Sequence, residues 1–295
     1  MAVIETNPKS SLHLRSNSLP STSHPLISQL EDNLQRLKSS EGTSSVSSSL
    51  VCNKLNGMQD LHDCVDKLLQ LPIEQQYLAQ ECNEKWVDNL LEGSLRLLDI
   101  CSTAKDSLLL SKENMHELQS VIRRRRGGET GFTVEGVKYL ALRKNMKKQI
   151  RKALIILKAI KNELMSFSSK KDNNFSPMIG FLKEAEAVTL CSLEHLLLFI
   201  SDPKGQSKHR RWSAIYKLMQ TKRAICDSHE SDINEFEKVD AALQSLISHK
   251  SSSTENFQSD LENLEMCIQD LEVGVEHISR KLIRNRVSLL NIFNH

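Results

Sequence analysis

Turn-forming and aromatic residues are scarce in this chain: ten glycines, six prolines, two tryptophans, three tyrosines and eight phenylalanines in 295 residues. That scarcity disfavours sandwiches and barrels, which depend on frequent turns and on aromatic or β-branched strands. Long apolar runs are missing too. The longest nearly apolar stretch, Val188 to Ile200, is interrupted by Glu194 and His195, so no membrane span is expected. The N-terminus has no apolar core of the signal-peptide kind, and a cytoplasmic protein is expected, with the nucleus as the alternative. A large net charge is also absent. Lys and Arg number 39 against 37 Asp and Glu, leaving +2, which argues against a chain that binds nucleic acid along its whole length.

Cysteine pairs and catalytic motifs are lacking as well. The seven cysteines (52, 64, 82, 101, 191, 226 and 267) never form C-x-x-C, so free and mostly buried thiols in a reducing compartment are expected. Cys52, His62 and Cys64 are the tightest cluster, but helical spacing sets His62 and Cys64 on different faces, which argues against a metal site. Glu113-x-x-His116 is half of a di-iron helix motif with no second copy, and reads as two surface residues. Cys191 and His195 lie four apart and can touch on one helix face, yet they lack an orienting partner and read as packing residues. No phosphate-binding glycine loop, nucleophile elbow, zinc-protease motif or dinucleotide fingerprint is found. Neither a cofactor nor an enzymatic activity is expected.

What the chain does have is serine at one end and helical periodicity everywhere else. Residues 1–50 hold fourteen serines and three of the six prolines, and are expected to be a largely disordered arm. One amphipathic stretch, Ile27 to Lys38, interrupts that arm. From Val51 onward the helical period dominates, and residues 51–295 read as a helical bundle. Leu55, Met58, Leu61, Val65, Leu68 and Leu69 form one stripe that ends at Leu71-Pro72. A long pattern then runs to Arg126, with a break anticipated near Gly93 and a stop at Gly127-Gly128. Further helices are expected from about Thr133 to Met165, from Pro177 to about Ser201, and from His209 to about His249.

The last helix carries the clearest pattern. After a capping box at Ser252 and Glu255, the residues Phe257, Leu261, Leu264, Ile268, Leu271, Val275, Ile278 and Leu282 alternate spacings of four and three. The register continues through Asn285 to Leu289 and Ile292. The fold is expected to be all-α: an elongated bundle of long antiparallel helices ending in a coiled-coil-like heptad helix. The seam is expected to pack inside that bundle, with self-association as the alternative.

Charge is sorted along this frame. Residues 121–175 carry a net +11 and residues 226–276 a net −11, so the two segments can attract each other within the fold. The basic patch comprises Arg123, Arg124, Arg125, Arg126, Lys144, Lys147, Lys148, Arg151 and Lys152. It suits anionic lipid headgroups, a nuclear-import receptor, nucleic acid or an acidic protein surface. Tyr139 is the one nearby aromatic, which makes single-stranded nucleic acid an unlikely partner. In the arm, Arg15-Ser16-Asn17-Ser18-Leu19-Pro20 reads R-S-x-S-x-P. Arg15 suits a basophilic kinase. Phosphorylated Ser18 followed by Pro20 matches the form held by the arginine cluster of a 14-3-3 protein.

Several of these segments occur together in one known group. His13 to Pro20 through His24-Pro25, Leu61-His62-Asp63 running to Leu71-Pro72, Gly93 to Asp99, Ile122 to Gly127, and Arg286 to Ile292 resemble the plant-specific BYPASS-related proteins. The resemblance covers roughly residues 10 to 295 and is thinnest around 165–210. It implies a helical intracellular plant protein linked to root and shoot development, and it supplies no catalytic or ligand residues. Together these readings give the expectation of a non-enzymatic helical interaction or scaffold protein. The alternative is a peripheral protein that binds anionic lipids through its basic helix face.

Overall fold

The computed structural model describes residues 24–40, 47–81, 84–124, 130–168, 177–201, 234–248 and 254–294. Among these, eight helices and no strand are found. They are α1 (Pro25–Ser39), α2 (Ser48–Leu69), α3 (Pro72–Glu81), α4 (Glu84–Arg124), α5 (Thr130–Ser168), α6 (Pro177–Ser201), α7 (Glu235–Ile247) and α8 (Thr254–Phe293). Arg15, Ser18, Pro20, Arg125, Arg126 and the capping residue Ser252 lie outside the described residues.

Local chemistry accounts for the helix starts. Pro25 opens α1, where its missing N–H costs nothing, and His24 Nδ1 accepts the Leu26 amide at 3.2 Å. Ser47 Oγ accepts the Leu50 amide at the start of α2. Asn234 does two things at once. Its Oδ1 accepts the Glu237 amide at 2.8 Å, and its Nδ2 donates to the Phe199 carbonyl at 2.7 Å, fixing the start of α7 against the end of α6.

Cross-helix pairs define the directions. On α4, Lys105 and Lys112 reach Glu276 and Glu272 of α8, each at 2.6 Å, so these two long helices run antiparallel. His62 and Lys54 of α2 meet Thr189 and His195 of α6, again antiparallel. Arg96 of α4 meets Glu163 of α5, and Ser111 meets Met146, which sets α4 and α5 antiparallel as well. The core runs between α2, α4, α6 and α8, with α5 and α7 closing one side and α1 packed on α2 and α6.

The heptad stripe of α8 is the spine of this core. Phe257, Leu261, Leu264, Ile268, Leu271, Val275, Ile278, Leu282, Leu289 and Ile292 are all buried, within the chain's own bundle as expected. Gly274 lets α2 come close: a Cβ there would sit 2.8 Å from Leu55 Cδ1 and 3.2 Å from Leu55 Cβ. Rings brace the flanks, with Phe132 edge-on to Phe257 and Phe199 edge-on to Phe236.

Two expectations are revised. The pattern from Pro72 to Arg126 does not break at Gly93, because α4 passes straight through that residue. Its missing Cβ serves packing instead of termination, since a Cβ there would lie 2.4 Å from Glu186 Oε1 on α6. The amphipathic stretch of the arm also belongs to the body. Leu30, Leu34 and Leu37 of α1 are buried, and Arg36 and Lys38 pair with Asp60 and Glu184.

Candidate functional site

Three of the segments that carry the family resemblance converge where α8 ends. His62 is fully enclosed between α2, α6 and α8. Thr189 donates its hydroxyl proton to the Ala185 carbonyl at 2.6 Å, so its oxygen must accept from His62 Nε2, at 2.9 Å. His62 Nδ1 is then the acceptor for Asn285 Nδ2, at 3.0 Å. Burial holds this imidazole neutral, with its pKa lowered to about 4 against a smaller opposing pull from Asp63. Next to it, Lys281 pairs with Asp63 and Arg284 with Asp66. Arg286 donates to the Leu91 carbonyl and to Ser94 Oγ, which ties the 93–99 segment to the 286–292 segment. These shared residues therefore tie α2, α4 and α8 together, with Thr189 of α6 joined through His62.

The other candidate constellations are taken up in packing as well. Cys64 donates to the Leu26 carbonyl on α1, while His62 points the other way, so the two do not share a ligand. Among the described residues no group of three metal-binding side chains is found. His116 pairs with Glu265 of α8 at 3.2 Å. His195 Nδ1 accepts from Lys54 Nζ at 3.3 Å, and burial followed by the Lys54 charge lowers its pKa to about 4. Lys161 binds Glu194 beside it, at 2.6 Å. Between α4, α5 and α6, Glu186 lies in a small cavity of about 40 Å³ with Arg96, Glu163 and Lys183. Burial raises its pKa to about 7, although Arg96 and Lys183 pull it down.

The described residues of the basic patch lie on two helices, α4 and α5. Arg123 and Arg124 are exposed at the end of α4, and Arg124 Nε caps the Ser120 carbonyl of its own helix. Lys144, the first of the others, lies about 21 Å along α5 from Thr130. Lys147 is diverted inward, donating to Asp240 of α7 at 2.7 Å. Arg151 is exposed and also engaged. Lys144, Lys148 and Lys152 remain on the outer face, and they recur every four residues.

Arg143 was not among the sequence candidates, yet it organises this region. Only 2% of it is exposed. It donates to the Ile200 carbonyl at 3.0 Å, pairs with Asp240 at 3.3 Å, and stacks over the Phe236 ring at 4.7 Å. Asp240 is one point where the basic and acidic segments attract each other, because it meets both Arg143 and Lys147. The signal was present in the sequence: Arg143 falls between Tyr139 and Met146 on the apolar stripe of α5, where a solvated cation has no place. Around it, α5 and α7 leave an open groove of about 640 Å³, with Val137, Leu140 and Ala141 at its apolar end.

The outer face of α5 is a basic feature that stays exposed. It also bears aliphatic side chains: Val134, Val137, Ile155 and Ile156 are 66%, 52%, 69% and 60% exposed. No acidic residue occurs between Glu135 and Glu163. No helix among the described residues is long and apolar enough to cross a membrane.

Comparison with known proteins supports the family noted in the sequence over four of the five segments, and His13 to Pro25 lies outside the matched span. A family model described as Protein BPS1 matches residues 54–292, which runs from within α2 to nearly the end of α8. No curated protein and no solved structure matches the chain. The matched span includes the clamp formed by His62, Ser94, Asn285 and Arg286, and on that span this chain belongs to the BPS1 family.

Proposed function

We propose that this protein is a non-enzymatic helical interaction protein whose working surface is the outer face of α5. The observation that carries the reading is the contrast between that face and the rest of the body. The ionisable residues described above pair mainly across helix boundaries, as in Lys105–Glu276, Lys112–Glu272, Arg143–Asp240 and Lys161–Glu194. Lys144, Lys148 and Lys152 instead point outward beside exposed aliphatic side chains. Such a surface is suited to contact rather than to chemistry. Following the resemblance to BYPASS-related proteins, the setting of this contact is the plant cytoplasm, in root and shoot development.

Proximity labelling in root tissue tests the reading. The chain carrying Lys144→Glu, Lys148→Glu and Lys152→Glu should lose a defined subset of the neighbours seen with the native protein. An unchanged set of neighbours would refute it.

The N-terminal arm adds a second contact to this proposal. Arg15, Ser18 and Pro20 form a site for a basophilic kinase and, once Ser18 is phosphorylated, for a 14-3-3 dimer. A phosphorylated 10–25 peptide should retain the dimer, and its unphosphorylated twin should not. Equal retention by the two would remove this contact.

A further inference from the structure

We propose that the outer face of α5 docks flat on an anionic membrane surface, with Val134 and Val137 at one end and Ile155 and Ile156 at the other entering the interface. The inference rests on the reading of that face as the working surface, and it names the partner's chemistry. At 100° per residue, Val134, Val137, Lys144, Lys148, Lys152, Ile155 and Ile156 fall within an arc of about 120°. They extend over about 33 Å of helix. The strip is therefore long and convex, with lysines in the middle and aliphatic pairs at both ends.

Each part of that arrangement fits a bilayer. Charge complementarity supplies the attraction, because no acid interrupts α5 between Glu135 and Glu163. Of the acids that neighbour this part of the helix, Asp240 and Glu194 are engaged by Arg143, Lys147 and Lys161, Glu117 and Glu135 by Lys138, and Glu237 lines the groove beside Lys144. Lys144, Lys148 and Lys152 are exposed to solvent and would meet lipid phosphates and carboxylates. The aliphatic pairs supply what charge alone does not. A single exposed isoleucine is ordinary on a protein surface, but two pairs aligned with a lysine row give the amphipathic pattern of an in-plane interfacial helix. An acidic protein would need a complementary groove about as long as the strip. Lipid headgroups adapt to a convex ridge without one.

The test is co-sedimentation of the full chain with phosphatidylcholine vesicles, with and without about 30% phosphatidylserine, across a salt series. The protein should sediment with the anionic vesicles at low salt, and not with the neutral ones. Replacing Lys144, Lys148 and Lys152 by glutamine should lower the partition coefficient on the order of 100-fold. Ile155→Ser with Ile156→Ser should lower it on the order of 10-fold and leave the salt dependence in place. Melting curves confirm that each variant is folded, and Ile155→Ser alone serves if the double variant melts early. Wild-type protein that stays in the supernatant with anionic vesicles, or an isoleucine variant that binds as well as the wild type, overturns the inference. A polyglutamate resin separates the two levels of the argument. Retention there through the same lysines, without vesicle binding, would leave the strip a contact for an acidic protein. Loss of both would remove the strip as a working surface.

Discussion

Acidification should destabilise this protein through His62, and the size of the effect follows from its surroundings. The imidazole is enclosed by three helices, with Nε2–H donated to Thr189 and Nδ1 accepting from Asn285. A second proton would have to reside on Nδ1, facing the amide nitrogen of Asn285. Only rotation of that amide would offer Oδ1, which is buried and has no partner in the present arrangement. The folded pKa is about 4, against 6.5 for an unconstrained imidazole. Because it is depressed, the unfolded chain takes up a proton that the folded chain refuses as pH falls below 6.5. Stability is therefore full above that value, declines between 6.5 and about 4, and levels off below. The linkage amounts to about 2 kcal/mol at pH 5, approaching about 3 kcal/mol at the plateau. The assay is urea unfolding at a series of pH values for wild type and for His62→Gln, whose amide can keep both hydrogen bonds but does not titrate here. Shifts from other groups, His195 among them, cancel in the difference between the two proteins. That difference should shrink by about 2 kcal/mol between pH 7.5 and pH 5. Parallel profiles would show that the histidine is not buried as described.

Three further substitutions probe the packing, each read by chemical denaturation. Asp240→Ala strands the buried Arg143 and should cost about 3 kcal/mol or more, whereas a paired Arg143→Met, Asp240→Leu variant should recover much of the loss. An Asp240→Ala protein as stable as the wild type would show the pair to be dispensable. Gly274→Ala should destabilise by about 1–3 kcal/mol because Leu55 cannot withdraw its Cβ, while Gly180→Ala meets nothing within 4 Å and should stabilise by up to about 1 kcal/mol. The same sign at both positions would contradict the close α2–α8 approach. Leu271→Asp places a charge in the buried seam of α8 and should cost on the order of 3 kcal/mol, and a melt matching the wild type would show the seam to be open.

The sequence by itself determined the class of fold and its spine. Scarce glycine and proline with an unbroken 3.6-residue period leave only helices, and that period is a local property of each segment. The α8 stripe from Phe257 to Ile292 needed no partner to be legible, because its spacing specifies one buried face whatever covers it. The resemblance to BYPASS-related proteins was likewise visible in short segments. What those segments do was not, since His62 and Ser94 lie far along the chain from Asn285 and Arg286 and reach them only once α2, α4 and α8 align. Gly93 was misread for the same reason: a glycine looks alike whether it ends a helix or admits Glu186 from a neighbour. The basic patch shows the limit most clearly. Nine cations close in sequence read as one surface, but whether a cation faces water depends on which acid the fold brings to it. Asp240, some ninety residues away from Arg143 and Lys147, draws those two inward and leaves Lys144, Lys148 and Lys152 outside. Composition fixes how much charge a helix carries. Only the packing of α5 against α4, α6 and α7 decides which of it remains for a partner.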